Sequence, residues 1–183
     1  IVDLDKTPAE NLAAVAAAKG VPVSELCACV LDRPRHAELI SAIREAGASI
    51  QLIGDGDIAG VMAATDPDVT GVDIYFGSGG APEGVLAAAA LRCIGGQIQG
   101  RLLFRNDDER GRARKWGIED LNRKYDTIDM VSGDVIFAAT GVTDGSMLEG
   151  VRLTADGYST ETLVMRAGSK TIRTVRTEHR NGR

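Results

Sequence analysis

The sequence predicts an α/β fold: a layered sandwich with a mixed, largely parallel central sheet, flanking helices and C-terminal antiparallel hairpins. Two patterns predict it. Between residues 27 and 94, three successive units each run from a short apolar strand through a glycine- or proline-bearing loop into a helix. Each helix then carries the chain back to begin the next strand in the same direction. From Val151 onward, polar and apolar residues alternate and turn signals stand at Asp156-Gly157 and Gly168-Ser169, which is hairpin texture.

Taken in order, Thr7-Pro8 offers an N-cap and a first-turn proline for a helix through AENLAAVAAAK, closed by Gly20. CACVL (27–31) reads as a buried strand, and Pro34 in the following DRPRH opens a helix that Gly47 ends. SIQLI (49–53) leads through GDGD to a helix near 58–64, and GVDIYF (71–76) leads through GSGGAPEG to a helix near 83–94. Beyond Gly96, QIQGRLLF is a further strand candidate, NDDERGRARKWG a charged helix or loop, and DVIFAATG (134–141) an apolar strand. In a parallel α/β sheet the ligand crevice lies beyond the carboxyl ends of the strands. The three post-strand loops are therefore expected to face one crevice.

At 183 residues and 44% hydrophobic content, the chain suffices for one domain with a sizeable core. A net charge of −5, with bases and acids intermixed, gives no electrostatic footprint for nucleic acid. The single basic cluster, Arg173 to Arg183, is expected to be a solvated tail. The longest apolar runs fall far short of the roughly 20 residues of a membrane span. Cys27, Cys29 and Cys93 form neither an even disulfide set nor zinc half-sites, so a reducing, cytoplasmic setting is expected, with core positions for Cys27 and Cys29. The chain opens Ile-Val-Asp-Leu-Asp, as if within a fold, and a fragment is expected.

Each loop carries chemistry and a plainer alternative. In LDRPRH, two arginines beside free helix-start N–H groups suit a phosphate oxygen, and equally suit a solvated helix cap. In GDGD, paired carboxylates suit sugar hydroxyls or a hard cation, or one of them caps the next helix. The third loop fails the dinucleotide fingerprint at Pro82 and the phosphate-loop pattern at Val85. Glu83 is then either a helix-dipole partner or a metal ligand whose cation lets an anion share the site. Thr143-Asp144-Gly145-Ser146 reads as a turn after a strand.

Together, LDRPRH, GDGD and GSGGAPEGVLAAAALRCIGGQIQGRL, followed by DVIFAATGVTDGSMLEGVR and TETLVMR, resemble the class II fructose-1,6-bisphosphatases. These are members of the lithium-sensitive, metal-dependent sugar phosphatase superfamily. The resemblance implies that Arg33, Pro34 and Arg35 line a fructose 1,6-bisphosphate site, that Asp55, Gly56, Asp57 and Gly80 contact sugar or phosphate, and that Glu83 is a catalytic ligand of a divalent metal, Mn²⁺ or Mg²⁺. It implies hydrolysis of the 1-phosphate to give fructose 6-phosphate in gluconeogenesis, and a homo-oligomer. The family's other metal acids and its D-P-x-[D/E]-G-[T/S] motif are missing from this sequence. Residues 1–183 accordingly resemble a C-terminal sugar-phosphate-binding α/β domain, expected to be inactive without an N-terminal half as its partner. Sedoheptulose 1,7-bisphosphate is an alternative or additional substrate, and a non-catalytic sugar-phosphate-binding module is the alternative of another class.

Overall fold

In the computed structural model, which describes residues 1–180, three parallel strands form the first sheet: β1 (Cys27–Leu31), β2 (Ser49–Ile53) and β3 (Ile74–Phe76), in the order β2-β1-β3. β1 is central, paired in register with Ser49–Ile53 on one side and with Ile74–Phe76 on the other. A strand covered on both faces reads as an unbroken apolar run, and CACVL is one, with Ala28, Cys29 and Val30 fully buried.

One face of this sheet carries α1 (Pro8–Lys19) and α2 (Ala37–Glu45). Leu12, Ala16, Ile40 and Ile43 pack there on Ala28, Val30 and Ile74. Thr7 and Glu10 form a reciprocal capping box at the start of α1, and Gly20 ends it in the left-handed conformation, as the sequence predicts. The other face carries α3 (Asp57–Ala63) and α5 (Ala81–Ile94), where Val61, Ala87 and Leu91 cluster with Tyr75.

In its later turns α5 lies between two sheets, burying Ala87, Ala88, Ala90, Leu91 and Cys93. Its other side, Ala90 and Cys93, meets Phe137, Leu163 and Met165 of an antiparallel sheet built from β6 (Ile136–Thr140), β7 (Arg152–Thr154), β8 (Gly157–Arg166) and β9 (Thr171–Arg180). The alanine run of α5 follows from this position: small side chains let the helix approach neighbours on both sides, and alanine has the highest helix propensity. The layers are therefore helix, parallel sheet, helix, antiparallel sheet.

The α/β class matches the expectation, but the parallel strands and the hairpins occupy separate sheets instead of one mixed sheet. The strand expected at 71–76 is shortened to Ile74–Phe76, because Pro67–Thr70 forms a helical turn, α4, that Gly71 ends at φ 72°. QIQGRLLF supplies only β4 (Gln99–Gly100), which pairs with β5 (Tyr125–Asp126). The charged segment is helix α6 (Asp107–Lys115), and Thr127–Met130 forms the short α7. The basic segment expected as a tail is strand β9 up to Arg180, and residues 181–183 lie outside the described part. Cys29 and Cys93 are buried and Cys27 is half-buried, all three as free thiols. Burial, with Cys27 nearby, pushes the Cys29 thiol up to about 11. Asp144 lies in the loop after β6, its carboxylate accepting from the Gly150 N–H at 2.9 Å and pairing with Arg152. No helix among the described residues is long and apolar enough to cross a membrane.

Candidate functional site

The first loop (32–36) leaves β1 and opens toward the carboxyl end of the sheet. Arg33 precedes a proline and is extended (φ −138°, ψ 143°), the region that a following proline ring enforces. Pro34 then starts a single 3₁₀ turn through His36. The Arg33 Nη1 donates to the Asp32 carbonyl at 2.9 Å, leaving its Nε–Nη2 edge available. Arg35 donates from both Nε (3.0 Å) and Nη2 (2.7 Å) to the Ser78 carbonyl in the third loop.

The second loop (54–56) ends at Gly56, which takes φ +75° at the start of α3; an L-residue rarely adopts that conformation, so glycine is the fitting choice. Asp57 is the first residue of α3, and its Oδ1 accepts from the Ile58 N–H at 3.1 Å. Asp55 is exposed.

The third loop (77–80) joins β3 to α5. Gly80 is the N-cap without any side-chain cap, Pro82 lies in the first turn, and Glu83 follows on that turn. Gly79 lets the loop pass close to Asp57: a Cβ there would stand 3.2 Å from Asp57 Oδ2. At Gly80 a Cβ would overlap Glu83 Oε2.

These loops enclose one open pocket of about 260 Å³. Arg33, Arg35, Asp55, Gly56, Asp57, Gly80 and Glu83 all line it, together with Leu31 and Gly79. Pro34, expected with them, does not. It is exposed, and its part is to hold the backbone that carries the two arginines. Among the described residues, none of the two arginines and three carboxylates takes part in a salt bridge. Opposite charges thus converge without neutralising one another, which leaves both signs free for a ligand bearing an anion and hydroxyls.

Sequence reasoning missed His36, its partner Ser78, and Tyr75. His36 is 2% exposed and hydrogen-bonds Leu31 and Ser78, so it is a buried tie between the first and third loops. Tyr75 sits below Gly77, whose Cβ would stand 3.1 Å from the phenol oxygen. Burial, reinforced by Asp57 and Cys29, pushes that phenol up to about 12, so it stays neutral. In the sequence, the available signals were a polar residue closing LDRPRH and a tyrosine on the Cys29 side of the sheet.

Glu83 offers a hard oxygen donor suited to Mg²⁺ or Mn²⁺. Among the described residues, however, no three His, Cys, Asp or Glu side chains gather into a group able to hold a metal. The donor type fits such an ion, and the number of donors falls short.

Comparison with known proteins gives a consistent picture. The family model described as "Bacterial fructose-1,6-bisphosphatase, glpX-encoded" matches residues 1–179. A protein of Synechococcus sp. (strain JA-3-3Ab), named "D-fructose 1,6-bisphosphatase class 2/sedoheptulose 1,7-bisphosphatase", is 42% identical over 191 residues, covering 97% of this chain and 55% of its own length. A protein of the same name from Trichodesmium erythraeum (strain IMS101) is 40% identical over 194 residues, covering 99% of this chain and 56% of its own. The chain spans about half the length of the curated relatives it matches.

Proposed function

The chain belongs to the glpX-encoded bacterial fructose-1,6-bisphosphatase family, and from that premise we propose that it is the C-terminal, substrate-reading domain of a metal-dependent phosphatase that converts fructose 1,6-bisphosphate to fructose 6-phosphate. The observation that carries the proposal is the single pocket lined by Arg33, Arg35, Asp55, Asp57 and Glu83. Arg33 and Arg35 hold the phosphate that is not cleaved, each through the guanidinium hydrogens left free by its backbone contact. Asp55 and Asp57 accept hydrogen bonds from sugar hydroxyls and so fix which end of the substrate faces Glu83. The Gly80 backbone, with no side chain, leaves room for the Glu83 carboxylate to lie against the helix start.

Glu83 would hold a divalent cation, Mn²⁺ or Mg²⁺, jointly with acids outside residues 1–183; such an ion, when bound, polarises a phosphoryl group and activates water. The remaining polypeptide of the enzyme, matching the other half of the relatives' length, is the partner that completes the site. The three free thiols support a reducing cytoplasmic setting, in gluconeogenic carbohydrate metabolism, and we expect a homo-oligomer.

The test is phosphate release from fructose 1,6-bisphosphate by a protein that contains this chain together with the rest of the enzyme. Glu83→Gln is expected to lower release at least about 100-fold while fructose 6-phosphate binding survives. Release that is unchanged by the substitution, or that the 183-residue chain achieves in full by itself, would reject this assignment. The relatives' shared name also carries sedoheptulose 1,7-bisphosphate, which favours dual specificity as the second reading. Specificity constants for the two bisphosphates, measured side by side, distinguish them.

A further inference from the structure

We propose that His36, acting through Ser78, is the positioning residue of the pocket: it hangs the loop that carries Glu83 on the loop that carries the arginines. Its effect on ligand binding rests on the sugar-phosphate reading above.

The hydrogen bonds define the imidazole's state. The Leu31 carbonyl can only accept, so His36 Nδ1, at 2.8 Å, carries the proton and donates to it. The Ser78 N–H can only donate, so His36 Nε2, at 2.9 Å, accepts. The two contacts independently require the same neutral tautomer. The Ser78 hydroxyl lies 3.1 Å from the same Nε2 and adds a second contact there. On the other side of the residue, the Ser78 carbonyl accepts from Arg35 Nε and Nη2.

Every polar group of Ser78 is therefore engaged by the first loop, its N–H and hydroxyl by His36 and its carbonyl by Arg35. Only Gly79 separates this pinned residue from Gly80, the N-cap of α5. The orientation of Glu83 relative to Arg35 is then set by a histidine that does not line the pocket. Glycines at 77, 79 and 80 would otherwise leave the third loop a wide choice of conformations. His36, at 2% exposure, is held in place by its surroundings and can act as the anchor.

The test separates this role from mere filling of space. The amide of glutamine reaches the position of Nε2 and can accept from the Ser78 N–H, whereas that of asparagine reaches only Nδ1. In ¹⁵N-labelled protein, histidine two-bond couplings are expected to report the Nδ1–H tautomer for His36. His36→Asn is expected to shift the Ser78 amide and Arg35 Nε–H resonances and to weaken inorganic phosphate and fructose 6-phosphate binding about tenfold. His36→Gln is expected to restore most of both, even at equal loss of Tm. Equal losses in the two variants, or unchanged Ser78 and Arg35 resonances in His36→Asn, would overturn the proposal. Should the wild-type protein, with the rest of the enzyme present, bind neither probe, the sugar-phosphate reading fails, while the Ser78 and Arg35 resonances still judge the tie in the free protein.

Discussion

Gly80 and Glu83 are fitted to one another: a Cβ at position 80 would overlap Glu83 Oε2 and stand 3.1 Å from its carboxyl carbon. Gly80 itself has φ −70° and ψ 147°, open to any residue, so the glycine is required for room and not for backbone freedom. Since the obstructed group ends a flexible side chain, Gly80→Ala should cost no more than about 1 kcal/mol of stability. The alanine must instead turn the carboxylate away from the pocket. We expect Mn²⁺ affinity of the complete enzyme to fall about tenfold or more while Tm stays nearly constant, measured by calorimetric titration and thermal unfolding.

Arg35 is not replaceable by lysine in the proposed role. Its guanidinium spends Nε and Nη2 on the Ser78 carbonyl and still has Nη1 for an anion. An ammonium group is a single point and cannot hold the carbonyl and the phosphate in the same planar geometry. Arg35→Lys is expected to raise KM for fructose 1,6-bisphosphate about tenfold with a smaller change in kcat, as read from steady-state kinetics; a loss confined to kcat would argue for a role in the chemical step.

His36, Ser78 and Tyr75, which hold the loops and the sheet behind the pocket, were the residues the sequence concealed. CACVL and SIQLI are strands residue for residue, because a short apolar run between turn signals states its own conformation. The separation of parallel and antiparallel strands into two sheets was not visible, since strand partners are chosen by long-range packing on α5. That the loops bearing Arg33, Arg35, Asp55, Asp57 and Glu83 face one crevice was legible, because a parallel α/β sheet opens its crevice beyond the carboxyl ends of its strands. His36, Ser78 and Tyr75 act through contacts with segments about 20 to 40 residues away or more, for which a single sequence gives no pattern.

The start of the chain contains an acid-sensitive tie. Asp5 receives Lys124 Nζ at 2.8 Å and Arg101 Nη2 at 2.5 Å. These hydrogen bonds, Lys124 foremost, hold its carboxyl down at about 2. A depressed folded value means that the contribution is present above the ordinary value of about 4 and is lost as the pH falls through about 2. Carboxyl ¹³C titration should therefore place the Asp5 midpoint well below that of an exposed aspartate, and Lys124→Ala should move it upward. An unchanged midpoint in that variant would assign the shift to Arg101 instead.

Gly60 links core packing to the pocket through α3. A Cβ there would lie 2.8 Å from Ile53 Cδ1, 3.2 Å from Cys29 Sγ and 3.2 Å from Tyr75 Cε2. Gly60→Ala is therefore expected to destabilise by about 1–3 kcal/mol through overpacking. The relief available is movement of α3 away from the parallel sheet, and Asp57 stands on the first turn of that helix. A rise in KM should accompany the lost stability although Gly60 does not line the pocket. Ile53→Val removes the Cδ1 that obstructs most and by itself should cost about 0.5–1.5 kcal/mol. In the Gly60→Ala background the same change should cost less or restore stability, giving a coupling energy outside the few tenths of a kcal/mol seen for independent sites. Denaturant titration of the four proteins in the cycle measures it. Strict additivity would show that Cys29 and Tyr75, and not Ile53, oppose the added methyl group.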